Sequence, residues 1–559
     1  MVFDGAPRNL NIQGTAQQSG MFGLLTTKVV ATLLAAIFCF TFYVFKSNTL
    51  VGDGIRHLLT LRTITQGAVP TFQPQPWLEV YRHHYDDMVV HNHFLFDVTM
   101  RAAFELQQKL GIPGDALVAM GAVNALSAAV AGALFFLLAL RVGVPKWVSL
   151  ALTLGLCLSP AYLLAATNIT ETALSLPFFL GALLILADRP FAGWTPLAAG
   201  VLAALAAITY LLAGSLVPCI ALAVVATQFR TRSVIKPLVL FLGSFAVFFV
   251  GIWVTVLLAS GFRTPDRLLR AILQFPQQGT YGGFKLGSLI ATPVGLTEAF
   301  IPVLPDDFQG LRSLYHQTPS AALYVGAATL LVCTFLLVVF YVLFKQGALR
   351  NLLILSCVLT FLLVEAACVE WDAYYQKLQL FALILCWVMV AAVFSRPPTP
   401  DRRWSLLLFV PVVVVSGLWV LRNNVQPSQP RTNAQQLISI VGNGVLLTTW
   451  SADVMHMLLY PNAVNAISLP DFALARNLDS KRVQEDLQTI VQQATSQGKS
   501  VYFYGLFEEK TRGPSDVYEN RFRLPGFTDY LRSLQQKAKP VATLPQPGGH
   551  SALLYIYSP

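Results

Sequence analysis

Directly after its first long apolar run, in VGDGIRHLL, the chain places Asp53 three residues before Arg56 and four before His57. If a helix begins here, the flanking glycines let the backbone turn and the carboxylate lies one turn from the cation. Such a pair suits work on a hydroxyl and a phosphate together. The carboxylate takes the proton, and the cation holds the phosphate by charge-assisted hydrogen bonds. It equally suits an interfacial ion pair that closes a helix end. A second group lies at 81–93, YRHHYDDMVVHNH, which carries His83, His84, His91 and His93 with Asp86 and Asp87 between them. His83, His84, Asp86 and Asp87 have the types and tight spacing to ligate a divalent metal from a loop. His91 and His93 are two apart and share a face only in an extended segment. The stretch can be a metal-free loop for sugar or phosphate, a metal site, or a solvated loop. The first is preferred.

These residues must be positioned by elements that composition assigns to a bilayer. Of 559 residues, 55% are hydrophobic and only 12% charged, about half the charged fraction of a soluble protein. LLTTKVVATLLAAIFCFTFYVF and LYVGAATLLVCTFLLVVFYVLF each reach the ~20 residues of a bilayer crossing. The chain reads as a polytopic α-helical membrane protein with about eleven transmembrane helices. They lie at roughly 25–46, 115–141, 147–166, 172–188, 193–210, 212–228, 236–260, 321–344, 350–368, 376–394 and 404–421, and 193–228 also suits a re-entrant hairpin. The first run reads as an anchor rather than a removed signal peptide. The seven cysteines all lie in or beside apolar runs. They read as small core residues, with no disulfide framework or zinc ribbon.

Basic residues set the orientation. With the N-terminus inside, the short inner connections carry Arg141 and Lys146, Arg189, Arg230 with Arg232 and Lys236, Lys345 with Arg350, and Arg396 with Arg402 and Arg403. The net charge of +10 follows from these residues, and no nucleic-acid partner is implied. The division is a transmembrane domain at 1–424, with outer loops at 47–114 and 261–320, and a small extracytoplasmic α/β domain at 425–559. In that tail VLLTTW, AVNAISL, VYFYGLF and ALLYIY read as strands. SKRVQEDLQTIVQQATSQGK reads as an amphipathic helix with Val483, Leu487, Ile490 and Val491 on one face. VGNGVLL lacks the third glycine and precedes a strand, so it is no nucleotide fingerprint. The ionisable groups gather at the outer ends of the spans: Asp53, Arg56, His57, the 79–93 cluster, Glu171, Glu365, Glu370, Asp372 and Lys377. This describes a polar cavity open to the outer face rather than a route across the membrane.

An outward Asp-x-x-Arg immediately after the first span resembles the GT-C glycosyltransferases, polytopic membrane enzymes that use polyprenyl-phosphate-linked sugars and include the protein mannosyltransferases. HNHFLFDV at 91–98 is similar to that family's Lys- or His-led approach to a juxtamembrane helix, without its prolines. NITETALSLPFFLGALLIL at 168–186 resembles the link before the fourth span, with Glu171 matching a second acidic residue. LAAGVLAALAAITYLLAGSLVP at 197–218 resembles the Gly-rich hairpin, without the Lys or His often found at its centre.

The resemblance implies an inverting sugar transfer on the outer (periplasmic or lumenal) face of a membrane, here a bacterial inner membrane. The donor would be a polyprenyl-phosphate sugar, and the acceptor a lipid, glycan or protein. Asp53 would be the base, with Glu171 orienting the acceptor or sharing that role. Arg56, His57, His83, His84, Asp86, Asp87, His91, His93 and Lys377 would bind substrate. No cofactor is assigned, and a divalent metal is a candidate at His83, His84, Asp86 and Asp87. The alternative is a polysaccharide ligase, polymerase or flippase-like protein with a polar outer vestibule. A non-enzymatic anchor that displays the C-terminal domain is a third reading.

Overall fold

The structure is a computed structural model. It describes residues 21–47, 94–113, 116–188, 192–228, 234–259, 286–304, 314–316, 318–346, 352–371, 376–395, 404–425, 429–448, 457, 465–469, 472–473, 479–507, 524–545 and 551–558.

The first part is a helical bundle around one apolar core. A backbone in lipid must satisfy its polar groups within the segment, so apolar runs become helices. Among the described residues, four helices are long and apolar enough to cross a membrane: Thr26–Val44, Leu117–Arg141, Ile235–Thr255 and Pro319–Lys345. Lys146–Cys157 and Pro160–Thr167 make a fifth if the pair, bent by 67°, is one broken span. The expectation of about eleven crossings is corrected by this count. Composition alone misled it, because a crossing of ~30 Å at ~1.5 Å per residue needs about twenty residues of unbroken helix. Thr172–Asp188, Thr195–Thr209, Leu211–Ala226, Ile354–Val369 and Gln379–Phe394 are apolar but shorter. The run at 193–228 is broken where Tyr210 is extended (φ −151°, ψ 112°) ahead of a 3-10 turn at Leu211–Leu216. The run at 404–421 is divided into Trp404–Leu407 and Phe409–Asn424.

Two ends of the bundle can be told apart. At one, Arg141 pairs with Asp188, so helices Ala116–Arg141 and Thr172–Asp188 run in the same direction. Gly143 (φ 96°) lies against the Ser395 carbonyl there, and the Gln346 amide donates to the Val393 carbonyl at 3.3 Å. The opposite end therefore receives the starts of Ala116–Arg141, Thr172–Asp188 and Gln376–Phe394 and the link Asn168–Glu171. Midway, Trp387 Nε1 donates to Ser159 Oγ (3.3 Å) at the elbow of the broken span. Helix Phe409–Asn424 fits into that elbow through Gly417, where any Cβ would meet the Leu158 carbonyl.

The tail forms a five-stranded sheet in the order β2-β1-β3-β5-β4. The strands are β1 Val445–Thr448, β2 Asn465–Ser468, β3 Val501–Tyr504, β4 Ala538–Pro545 and β5 Ser551–Tyr557. β1 pairs parallel with β2 and β3, and β5 pairs antiparallel with β3 and β4. Helix Gln429–Val441 covers one face of the sheet through Ala434, Leu437 and Val441. Helix Ser480–Ser496 lies on the other through Val483, Leu487, Ile490 and Val491. Its start is capped by Asp479, whose side chain accepts from the Lys481 and Arg482 amides.

Candidate active site at one end of the bundle

Glu171 is the expected site residue whose side chain is described, and it is wholly buried. It ends the link Asn168–Glu171 between helices Pro160–Thr167 and Thr172–Asp188. The first of these helices stops because Asn168 turns extended (φ −100°, ψ 166°), which exposes carbonyls that need donors. Asn124, wholly buried in Ala116–Arg141, supplies them. Its Nδ2 donates to the carbonyls of Asn168 (2.5 Å), Thr170 (2.9 Å) and, more weakly, Ala165 (3.3 Å). Thr170 and Thr172 join their hydroxyls at 2.8 Å, and Ser175 Oγ donates to the Thr172 carbonyl at 2.7 Å. The backbone either side of Glu171 is thus held by side chains rather than by helix.

Helix Phe94–Lys109 covers this link. Phe96 and Met100 pack with Met120 and Ile169. Asp97, 6% exposed, lies in the first turn of that helix. It was not a candidate in the sequence, although it falls within HNHFLFDV. Asn124 was missed too. Its signal is a lone amide within the apolar run GAVNALSAAV, a residue type used to join helices in lipid.

The first helix ends beside the same link. The Ser47 amide donates to the Thr167 carbonyl at 2.9 Å. Asn424, at the end of Phe409–Asn424, donates through Nδ2 to the Phe45 carbonyl (3.3 Å) and to Thr167 Oγ1 (3.0 Å). Three separate parts of the chain therefore meet at Thr167, four residues before Glu171, and Asp53 follows Ser47 by six residues. Asp53, Arg56, His57, His83, His84, Asp86, Asp87, His91 and His93 themselves lie outside the described residues. Lys377 is the second residue of Gln376–Phe394 and so stands at the Glu171 end.

A carboxylate that sequence reasoning did not single out lies deeper. Within the stretch 261–320, Leu286–Phe300 is a helix whose second half is buried. Phe300 reaches the middle of the bundle, with ring centroids 6.1 Å from Trp387, 6.2 Å from Phe335 and 5.5 Å from Phe409. Glu298 turns the chain there: its Oε2 accepts from the amides of Val303 (2.7 Å) and Leu304 (2.8 Å). Its signal in the sequence is one acidic residue in an otherwise apolar run, LTEAFIP. Among the described residues, no group of three His, Cys, Asp or Glu side chains is placed to hold a metal ion. The four candidate ligands at 83–87 are outside them.

No protein-family model and no curated protein matches the sequence. Solved structures do match the fold. ArnT from Cupriavidus metallidurans bound to undecaprenyl phosphate superposes with a TM-score of 0.53 at 11% identity, covering 96% of this chain and 98% of ArnT. The apo state of the same protein gives 0.54 at 13% identity, covering 95% and 98%. Arabinofuranosyltransferase AftD from Mycobacteria reaches only 0.35 at 14% identity, with 92% of this chain and 40% of AftD covered. Over nearly its whole length, this multi-pass membrane protein has the fold of ArnT.

Proposed function

We propose that the chain is an inverting glycosyltransferase that moves a sugar from a polyprenyl-phosphate donor to a lipid, glycan or protein acceptor. The observation that carries this reading is the meeting of Ser47, Thr167 and Asn424. In a chain with the fold of ArnT, the contact of Ser47, six residues before Asp53, with Thr167, four before Glu171, supports a site that combines the two carboxylates. The ArnT structure holds undecaprenyl phosphate, which supports a polyprenyl phosphate as the leaving group here.

In this reading Asp53 takes the proton of the acceptor hydroxyl as it attacks the anomeric carbon from the face opposite the phosphate. No covalent intermediate forms, so the configuration inverts. A lipid phosphate leaves without an acid to protonate it. It needs positive charge where negative charge develops, a contribution of ~3–4 kcal/mol per well-placed donor. Arg56, His57, Lys377, His91 and His93 are the proposed donors. His83, His84, Asp86 and Asp87 complete the substrate loop and are the residues that would hold a divalent metal. Glu171, fixed by its braced backbone, orients the acceptor. The outer face is proposed for this end of the bundle, because Arg141 and the other basic connections mark the opposite end as inner.

The test is a mass-spectrometric comparison of glycolipids, envelope glycans and glycoproteins in cells with and without the chain. One glycan species should disappear and a polyprenyl-phosphate sugar should accumulate. Identical profiles would overturn the reading.

A further inference from the structure

The first helix ends on a cation whose partner is not a carboxylate. Lys46 follows helix Met21–Val44 and precedes Ser47, whose amide donates to the Thr167 carbonyl at 2.9 Å. Its side chain reaches helix Ala116–Arg141. A Cβ added at the buried Gly121 would lie 3.2 Å from Lys46 Cδ, so the bare glycine makes room for the lysine stem. Gly121 precedes Asn124 by three residues and shares its helical face. Asn124 donates to the carbonyls of Asn168 and Thr170, and Met120, beside Gly121, packs with Ile169 of the same link. The Lys46 stem is thus set against the helix that braces Glu171.

The ammonium is held but not neutralised. Nζ lies 4.4 Å from the centre of the Tyr43 ring, one turn back on the first helix. A ring face attracts a cation but accepts few of its hydrogen bonds. The ion pairs among the described residues join Arg101 to Glu105, Arg141 to Asp188, Lys481 to Glu485 and Arg532 to Asp529, and none includes Lys46. A lysine at a helix end that only reached for water would extend away from the membrane. Lys46 is half-buried and lies back over Tyr43 and against Gly121 instead. At the end of a span, such an ammonium offers compact positive charge and three donors to an anion that arrives on a lipid.

We propose that the Lys46 ammonium binds the phosphate of a polyprenyl phosphate at the Glu171 end of the bundle. This rests on the glycosyltransferase reading and adds to it a phosphate-binding residue supplied by the bundle itself. The test titrates the purified full-length protein, in nanodiscs, with undecaprenyl phosphate, with undecaprenol and with phosphatidylglycerol. Lys46→Met keeps a stem over Gly121 and Tyr43 and removes the charge. It should weaken undecaprenyl phosphate binding by ~10- to 100-fold, the worth of one hydrogen bond to a charged group, with the Tm unchanged. Lys46→Arg should recover most of that binding. Arg422→Met, which removes an exposed cation from the last turn of Phe409–Asn424 at the same end, should bind as the parent does. Parental binding by Lys46→Met would overturn the proposal, and equal loss in Arg422→Met would too, since general surface charge then suffices. So would phosphatidylglycerol competing as well as undecaprenyl phosphate, or a Lys46→Met loss that comes with a lowered Tm and is not rescued by Lys46→Arg. A parent that binds undecaprenol as tightly as undecaprenyl phosphate would overturn the polyprenyl-phosphate reading along with the proposal.

Discussion

Asn124→Ala isolates the bracing of the Glu171 link from the chemistry. The wild-type amide serves the carbonyls of Asn168 and Thr170 in a site without exposure. Removing it leaves both carbonyls without this donor. An orphaned buried carbonyl costs ~1–3 kcal/mol, which gives ~2–6 kcal/mol for the pair. Helix-to-helix hydrogen bonds in lipid average nearer ~0.6 kcal/mol each, so the lower end, ~2 kcal/mol, is the working figure. The large apolar core of the bundle does not depend on this amide. The strain is therefore relieved locally, by movement of the link, rather than by unfolding. A shift of ~1 Å at a substrate-positioning group costs ~100-fold in rate. Asn124→Ala should therefore insert and purify normally, retain undecaprenyl phosphate binding, and lose ~10- to 100-fold in product formation. Asn124→Asp should be no better, because a carboxylate cannot donate to the same carbonyls. The assays are thermal unfolding in detergent and product glycan in cells. An Asn124→Ala protein with parental product and parental Tm would refute the claim that this amide positions Glu171.

Glu171→Gln keeps the size of the side chain but loses its charge, and it should raise the acceptor KM more than it lowers kcat. A kcat effect alone would move Glu171 to the chemical step. His91→Ala and His93→Ala should weaken donor use while chelator has no effect; loss of activity in chelator, restored by one divalent ion, would make 83–87 a metal site. Thiol labelling from outside intact cells should reach Ser480→Cys and miss Ser395→Cys. The reverse pattern would invert the proposed sidedness of every site residue.

What could be read from the sequence depended on whether a local pattern determined the structure. Val483, Leu487, Ile490 and Val491 share a helical face in the sequence, and the structure buries all four. The short β-branched and aromatic runs become β1, β2, β3 and β5. β4 was not legible, because KAKPVATLP carries Lys539 and Pro540 with most side chains exposed, the composition of a protected edge strand. In the bundle, hydropathy marked where the chain is apolar but not where a helix stops. The bend before Pro160 has a local cause, since proline lacks an N–H and disfavours helix in the residue before it. The extended Tyr210 and the half-buried Leu286–Phe300, with Pro293 inside it, are tertiary outcomes. In the site, Glu171 stood out as an acidic residue beside an apolar run. Asn124 and Glu298 did not, because their roles lie in backbone carbonyls and amides that only the folded chain brings to them.

The central claim is that a general base stands at the Glu171 end and takes a proton from an acceptor hydroxyl. Its most direct measurement is product glycan formed by Asp53→Asn at matched levels of membrane-inserted protein. The substitution keeps size and hydrogen-bonding atoms but cannot take the proton. General-base help is worth ~10²–10⁴-fold, and product formation should fall by that factor with undecaprenyl phosphate binding intact. Near-parental product from Asp53→Asn would contradict the account.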